Sequence, residues 1–167
     1  MIDSMEQKLS HFDESGKAKM VDVGDKQVTR RIATARSLIK ISSELVSILK
    51  AGNLEKGDAF TVAKTAGILA AKQTGNLIPM CHPLPVDYVD ISLEMIEEKN
   101  EVRVESVVST TAKTGVEMEA MVAVTMAGLT FYDMCKAVDK SIKIVKTGLY
   151  KKEGGKSGLF MNAEMEW

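Results

Sequence analysis

Apolar and polar residues alternate along two neighbouring segments of the chain, residues 89–95 and 102–108. A period of two residues is typical of β-strands that bury one face. A polar stretch, residues 97–101, separates the two segments. The pattern therefore predicts an antiparallel β-hairpin.

Helix signals precede the hairpin. Ser42 or Ser43 is placed to cap a short helix that continues to residue 50 and stops at Gly52. Residues 58–74 follow as a longer helical run, closed by Gly75. Ser at an N-cap and Gly after the last turn are the expected boundary residues of helices.

Two further segments, residues 17–23 and 31–41, mix β-branched residues with basic ones. This composition favours an extended conformation, although a helix stays an alternative for residues 31–41. A last strand is predicted over residues 141–149.

Residues 116–138 are apolar on nearly every face of a predicted long helix. A helix that is apolar all round is buried on all sides. Because one sheet cannot cover such a helix completely in a chain of 167 residues, we infer that a second subunit packs against it.

The order of these elements predicts an α+β sandwich in which helices pack on one face of an antiparallel sheet. We expect a mobile N-terminal arm over residues 1–16, a single domain over residues 17–158 and a C-terminal tail over residues 159–167.

Composition narrows the class of protein. The chain has 22 basic and 23 acidic residues and a net charge of −1, which gives no electrostatic reason to bind nucleic acid or an anionic membrane. The two cysteines form neither a zinc-binding spacing nor a disulfide framework. With no signal peptide or membrane span in view, we expect a soluble cytoplasmic protein.

Residues 77–85 contain all three prolines of the chain and predict a rigid loop. His82 lies between Pro79 and Pro83, where it could orient or protonate a substrate. A histidine that is only hydrogen-bonded to the backbone explains the loop equally well. A metal site made with Cys81 is less favoured, because no further ligands stand nearby in sequence.

Charged residues also occur at both ends of the long helix. Glu117 and Glu119 in the first turn are explained most simply by a favourable interaction with the helix dipole. Asp133 and Lys136 lie three residues apart on one face, either as a buried structural ion pair or as an acid and an amine that tune each other. Glu119 and Asp133 are separated by about 21 Å along one helix. If both act in one site, that site must lie between subunits.

The tail sequence YKKEGGKSG looks like part of a phosphate-binding loop, but Tyr150 stands where a Walker A motif needs glycine, so a P-loop NTPase is rejected. A flexible lysine loop that closes over phosphates and a merely solvated tail both stay open. Lys56 and Lys72, taken individually, are surface charges.

Seven strings occur in order along residues 9–158: MVDVG, KGD, AGILAAKQT, LIPMCHPLP, KTGVEMEAM, TFYDMCKAV and GGKSG. Together they resemble the cyclic pyranopterin monophosphate synthase family, also called molybdenum cofactor biosynthesis protein C. The strings IPMCHP, KTGVEMEA and YDMCKA carry most of this resemblance, whereas GGKSG alone is weak.

The resemblance implies a ferredoxin-like fold assembled as a homohexamer, a trimer of dimers with active sites at the dimer interface. It implies a lyase that converts 3′,8-cyclo-7,8-dihydroguanosine 5′-triphosphate to cyclic pyranopterin monophosphate and releases pyrophosphate. No cofactor and no protein-held metal are expected.

The resemblance also assigns residues. Asp133 and Lys136 fall on catalytic positions. The remaining matched residues fall on substrate-binding positions: Met80, Cys81, His82, Met118, Glu119, Arg31, Lys56, Lys72, Glu117, Lys152 and Lys156.

Two rival functions come from other classes. A non-catalytic ferredoxin-like module that binds a nucleotide and regulates a partner fits the composition and the hairpin, but leaves Asp133 and Lys136 without a role. A structural assembly protein fits the Met-rich long helix, but leaves the proline loop and the lysine loop without one.

Overall fold

The structure is a computed structural model that describes residues 16–156 and 158–167. Within them an antiparallel five-stranded sheet is combined with four helices, which confirms the predicted α+β class. The strands are β1 (Thr29–Lys40), β2 (Tyr88–Ile96), β3 (Glu101–Ala112), β4 (Lys143–Glu153) and β5 (Phe160–Met161). The helices are α1 (Ser43–Ala51), α2 (Ala59–Lys72), α3 (Thr74–Leu77) and α4 (Glu117–Cys135). The predicted N-terminal arm lies outside the described residues except for Gly16.

The strands are ordered β2-β3-β1-β4-β5, and every neighbouring pair is antiparallel. Alternate side chains of the central strands are buried on one face, and α2 and α4 pack against it. The core residues of β1 and β3 on this face are Ala33, Ala35, Ile39, Val102, Val104 and Val108.

The predicted hairpin is confirmed as β2 and β3, joined by a short turn at Glu97–Lys99. Residues 31–41 form most of β1, so the helical alternative is wrong. The reason is long-range pairing, because β1 pairs with β3 from Thr29↔Ala112 to Lys40↔Glu101 and with β4 on its other side.

The two predicted helices are confirmed as α1 and α2, but their last residues differ from the predicted ones. The Ser42 hydroxyl accepts the Leu45 amide at the start of α1, and Gly52 ends this helix with φ 68°. The longer helix ends at Lys72 rather than at Thr74, and Thr74 begins the short α3 instead. Gly75 therefore lies inside α3 and does not close α2.

Residues 17–23 do not join the sheet, and only Ala18 makes an isolated bridge. Val21 and Val23 in this segment are half-buried and line a cavity instead. The last strand was predicted to end at residue 149, but β4 continues to Glu153 because β1 and β5 both pair with it.

Helix α4 is covered on two sides, by the sheet and by α2. A third face stays open in the single chain, where Leu129 is 52% exposed and Met118 is 40% exposed. One chain therefore does not cover α4 completely, as expected from the sequence, and the inferred second subunit stays a prediction. No helix in the two described ranges is long and apolar enough to cross a membrane.

Gly67 permits the close approach of α2 to α4. An ideal Cβ at this position would lie 2.3 Å from Ile91 Cδ1 and 2.7 Å from the backbone oxygen of Ala123. A backbone oxygen cannot rotate away, so any side chain at residue 67 forces the two helices apart.

We expect Gly67→Ala to lower the free energy of unfolding by about 1–2 kcal/mol, because overpacking outweighs the gain in helix propensity. Gly128→Ala in α4 is the matched control, since its Cβ would make only ordinary contacts at 3.4 Å or more. That variant should be neutral or up to about 1 kcal/mol more stable. Chemical denaturation of both variants checks the prediction, and equal effects would contradict it.

Candidate active site

Helices α2 and α4 run antiparallel, and this arrangement separates the predicted site residues into two groups. Lys56, just before α2, contacts Asp133 near the end of α4, whereas Gly67 lies beside Ala123, ten residues earlier in α4. We call the group at the start of α4 the loop cluster: Met80, Cys81, His82, Glu117, Met118, Glu119, Arg31, Lys152 and Lys156. We call the group at its end the helix-end cluster: Lys56, Asp133 and Lys136.

The proline loop and the first turn of α4 enclose a cavity of about 360 Å³. The structure brings together in its wall six residues predicted from sequence: Met80, Cys81, His82, Glu117, Met118 and Glu119. Gly115, next to one of the motifs, also lines it. The cavity is large enough for part of a nucleotide-sized ligand.

Glu119 is the most deeply buried carboxylate of the cavity, with only 3% of its surface exposed. Burial raises the pKa of this carboxyl, and the neighbouring negative charge of Glu117 raises it further. Burial also raises the pKa of the Cys81 thiol, with a contribution from Glu119. Glu119 therefore keeps its proton to a higher pH than an ordinary glutamate.

Glu117 is held by a lysine from the sheet. The Lys152 ammonium donates to Glu117 Oε1 at 2.9 Å, and both side chains are about one third exposed. The same carboxylate folds over Gly115, where an ideal Cβ would lie 1.9 Å from Oε2. A side chain at position 115 would therefore have to displace the Glu117 carboxylate from this position.

Arg31 connects β1 to the lysine loop. Its Nε donates to the Ala112 carbonyl at 3.0 Å and its Nη2 to the Lys113 carbonyl at 3.1 Å. Gly155, with φ 71°, packs on this guanidinium so closely that a Cβ would lie 2.2 Å from Nη1. The contact fixes the loop that carries Lys156.

A second cavity of about 720 Å³ lies beside the first. Lys26 lines both cavities. The second cavity is also lined by Asp25, Gln27, Thr29, Arg31, Gly155 and Lys156. The two cavities therefore adjoin at Lys26, with the buried carboxylate of Glu119 in the wall of the first and a group of cations in the wall of the second. Cations arranged in this way suit a ligand with several phosphates.

Lys26 was missed by the sequence analysis. It directly follows the string MVDVG and residue Asp25, and this proximity was the available signal. Lys113 was also missed; its ammonium donates to the Gly24 carbonyl and ties that segment to the end of β3.

The helix-end cluster is exposed, so of the two alternatives for Asp133 and Lys136 the buried structural ion pair is wrong. The Asp133 side chain is 57% exposed, because it lies on the open face of α4. The Lys136 ammonium donates to Asp133 Oδ1 at 2.6 Å, and the Lys56 ammonium donates to Oδ2 at 3.3 Å and to the Asp133 carbonyl at 2.9 Å.

The two lysines hold the pKa of Asp133 below its ordinary value, with Lys136 making the larger contribution and Lys56 the smaller. In return Asp133 raises the pKa of Lys136. Asp133 is therefore a stable carboxylate at neutral pH, the opposite of Glu119 at the other end of the helix.

Lys72 lies outside both groups of contacts. It is the exposed last residue of α2, at the end of that helix that leads into α3 and the proline loop. It is not among the residues that line the two cavities.

A family model described as the MoaC family matches residues 20–155. The chain belongs to the MoaC family. The matched span includes every residue of both clusters except Lys156, so the two groups stand inside the part of the chain that defines the family.

Relatives of this MoaC-family chain carry one name. A cyclic pyranopterin monophosphate synthase of Clostridium perfringens is 52% identical over 93% of this chain and 99% of its own length. Proteins of the same name from Brevibacillus brevis and Listeria monocytogenes are 49% and 53% identical, covering 96% and 91% of this chain and 99% and 94% of their own lengths. A solved ferredoxin protease complex is similar over 68% of this chain and 11% of its own, but its TM-score of 0.34 and 12% identity carry no argument.

The buried Glu119 of this MoaC-family chain makes stability depend on pH. Its folded-state pKa lies above the ordinary value of 4.5, so the folded protein holds a proton that the unfolded chain has already released. By linkage, the free energy of unfolding therefore falls as pH rises from about 4.5 through the folded-state pKa.

We expect Glu119→Gln to remove this decline, so that the variant gains stability relative to the wild type as pH rises above about 4.5. Denaturant titrations at several pH values between about 4 and 8 measure the difference. Glu98→Gln, at an exposed position on the turn between β2 and β3, is the control. A constant difference between Glu119→Gln and the wild type across this range would refute the assignment.

Proposed function

We propose that this MoaC-family chain is a cyclic pyranopterin monophosphate synthase in molybdenum cofactor biosynthesis. In this proposal it is a phosphorus–oxygen lyase that converts 3′,8-cyclo-7,8-dihydroguanosine 5′-triphosphate to cyclic pyranopterin monophosphate and releases pyrophosphate. The observation that carries the proposal is the pair of adjoining cavities, one lined by the buried carboxylate of Glu119 and the other by the cations Lys26, Arg31 and Lys156.

The rearrangement of the purine-derived ring needs protons to be given and taken several times, which requires an acid and a base of different strength. Glu119 suits the acid, because burial raises its pKa. Asp133 suits the base, because Lys136 and Lys56 keep it ionised. His82 lines the cavity as a third group able to transfer protons.

Formation of the cyclic phosphate requires an oxygen of the sugar to attack the α-phosphorus while pyrophosphate leaves. Negative charge grows on the leaving group, so fixed cations at its position stabilise the transition state. Lys26, Lys156 and the remaining donors of Arg31 meet this need. Lys152 adds a cation that also orients Glu117.

The two clusters must be used together, but within one chain they lie at opposite ends of α4. Fourteen residues of helix correspond to about 21 Å, too far for one compact site. We therefore propose that the loop cluster of one protomer meets the helix-end cluster of another at a dimer interface. The open apolar face of α2 and α4, with Val62, Leu69, Met118 and Leu129 exposed, supports this.

We further propose a ferredoxin-like topology, a homohexamer built as a trimer of dimers, and a cytoplasmic location. The strand order β2-β3-β1-β4, with helices after β1 and β3, supports the topology. The hexamer rests on the resemblance to the family. The free cysteines Cys81 and Cys135 support a reducing compartment.

Purified protein should convert the cyclised triphosphate with release of pyrophosphate, and Asp133→Asn should fold but lose at least about 100-fold in kcat, as expected for loss of a general base. Asp90→Asn is the matched control, because Asp90 also forms an exposed pair with a lysine, Lys64, at 2.7 Å. Its rate should equal that of the wild type.

Wild-type turnover by Asp133→Asn would remove Asp133 from the mechanism. Tight binding of the triphosphate without turnover by the wild-type chain would favour the regulatory module instead. The names of the relatives do not favour that module.

Co-expression of Glu119→Gln with Asp133→Asn tests whether sites are shared between protomers. Each variant alone is expected to be inactive. A mixed dimer would contain one site with both substitutions and one site with neither, so random mixing should restore about one quarter of wild-type activity. No recovery, although mixed oligomers are demonstrated by differential tagging, would contradict a shared site.

A further inference from the structure

Strand β4 contains a β-bulge at Tyr150. Thr34 pairs with Lys151 and Ala35 pairs with Leu149, so Tyr150 is the extra residue of β4. Since side chains alternate along a strand, one extra residue exchanges the faces of all residues that follow. Lys152 is thereby paired with the core residue Ala33 and reaches Glu117 on the helix side of the sheet.

The residues after the lysine loop hold this bulge in place. The Asn162 amide donates to the Tyr150 carbonyl at 2.8 Å. Strand β5 pairs with β4 at Lys151↔Met161 and Lys152↔Phe160. The two ends of the loop that carries Lys156 are thus closed into a hairpin.

Arg36 contacts the Tyr150 bulge and the segment around Trp167 on the outer face of the sheet, the face away from the helices. Its guanidinium carbon lies 3.5 Å from the Tyr150 ring centroid and 4.9 Å from that of Trp167. Its Nη1 donates to the Met165 carbonyl at 3.1 Å, and its Nε donates to Glu105 at 2.7 Å. The guanidinium therefore joins β1, β3, the bulge and the segment around Trp167.

Met165 contacts both Arg36 and β4. It is buried, and its sulfur occupies the space above Gly148, where an ideal Cβ would lie only 2.8 Å from Sδ. We call the set Arg36, Tyr150, Met165 and Trp167 the clasp. The clasp packs against Gly148 through Met165.

We propose that the clasp is a positioning element of the active site, which locks the Tyr150 bulge and so sets Lys152 and the Lys156 loop for binding of the triphosphate. The clasp residues face away from the cavities and act only through these lysines. The identity of the triphosphate in this proposal rests on the proposed function. The effect of the clasp on phosphate binding can be tested without it, because the same cations would bind inorganic pyrophosphate.

We expect Trp167→Ala to fold, since Trp167 is 42% exposed, and to raise KM for the triphosphate about tenfold. Because the same cations also stabilise the leaving pyrophosphate, kcat should fall as well, by a smaller factor. The Kd for inorganic pyrophosphate, measured by calorimetry, should rise by a factor similar to that for KM. Trp167→Phe keeps a ring for Arg36 and should restore these values. Tyr88→Ala, an exposed aromatic on the far edge strand β2, is the control.

A comparison in a background without the two lysines separates positioning from general stability. If the clasp acts only through Lys152 and Lys156, then adding Trp167→Ala to a variant that carries both Lys152→Ala and Lys156→Ala should raise KM no further. A further rise in KM on adding Trp167→Ala to that background would overturn the proposal. So would a Trp167→Ala variant that is less stable but keeps wild-type KM and pyrophosphate affinity.

Gly148→Ala tests the same contact from the strand side, because the added methyl displaces Met165. It should reproduce the rise in pyrophosphate Kd, and an unchanged Kd would count against the clasp. A wild type that binds pyrophosphate but does not convert the triphosphate would refute the proposed function. The pyrophosphate Kd values of the variants would then still decide whether the clasp positions the lysines.

Discussion

The antiparallel contact between α2 and α4 determines where everything else in the site can lie. The two helices approach so closely at Gly67 that a methyl group there would collide with the Ala123 backbone. Their directions are fixed by this contact and by the sheet beneath them. As a result the proline loop meets the first turn of α4, and Lys56 meets its last turn. Two chemically different groups are thereby held a helix length apart in one rigid body.

Opposite environments then give the two ends of α4 opposite acid–base character. Glu119 faces into the protein, where loss of water disfavours its charged form. Asp133 faces outward between two ammonium groups, which favour its charged form. Similar side chains are therefore suited to opposite roles, Glu119 to giving a proton and Asp133 to accepting one. The same separation of roles by environment is a general way to run acid and base chemistry at one pH.

Much of the fold could be predicted because local patterns and tertiary structure agree. The alternation in residues 89–95 and 102–108 and the caps at Ser42 and Gly52 specify their elements locally. The failures lie where long-range contacts decide. Nothing local shows that Val21 and Val23 line a cavity instead of joining the sheet, or that Phe160 and Met161 pair with β4. For the site, the sequence motifs contain the residues of both clusters. The exposure of Asp133 and the position of Lys26 between the two cavities could not be predicted, because they depend on packing between distant segments.

The exposure of the helix-end cluster argues for a covering surface. In water, the attraction between unit charges about 4 Å apart is only about 1 kcal/mol, and catalytic electrostatics become strong only where water is excluded. Asp133, Lys56 and Lys136 are each 43% to 57% exposed in the single chain. They hold one another in place, but they cannot by themselves make the low-dielectric site that proton transfer and phosphate chemistry require. The open apolar face of α4 beside them, ending at Leu129, is the surface through which a second protomer would exclude water from these charges.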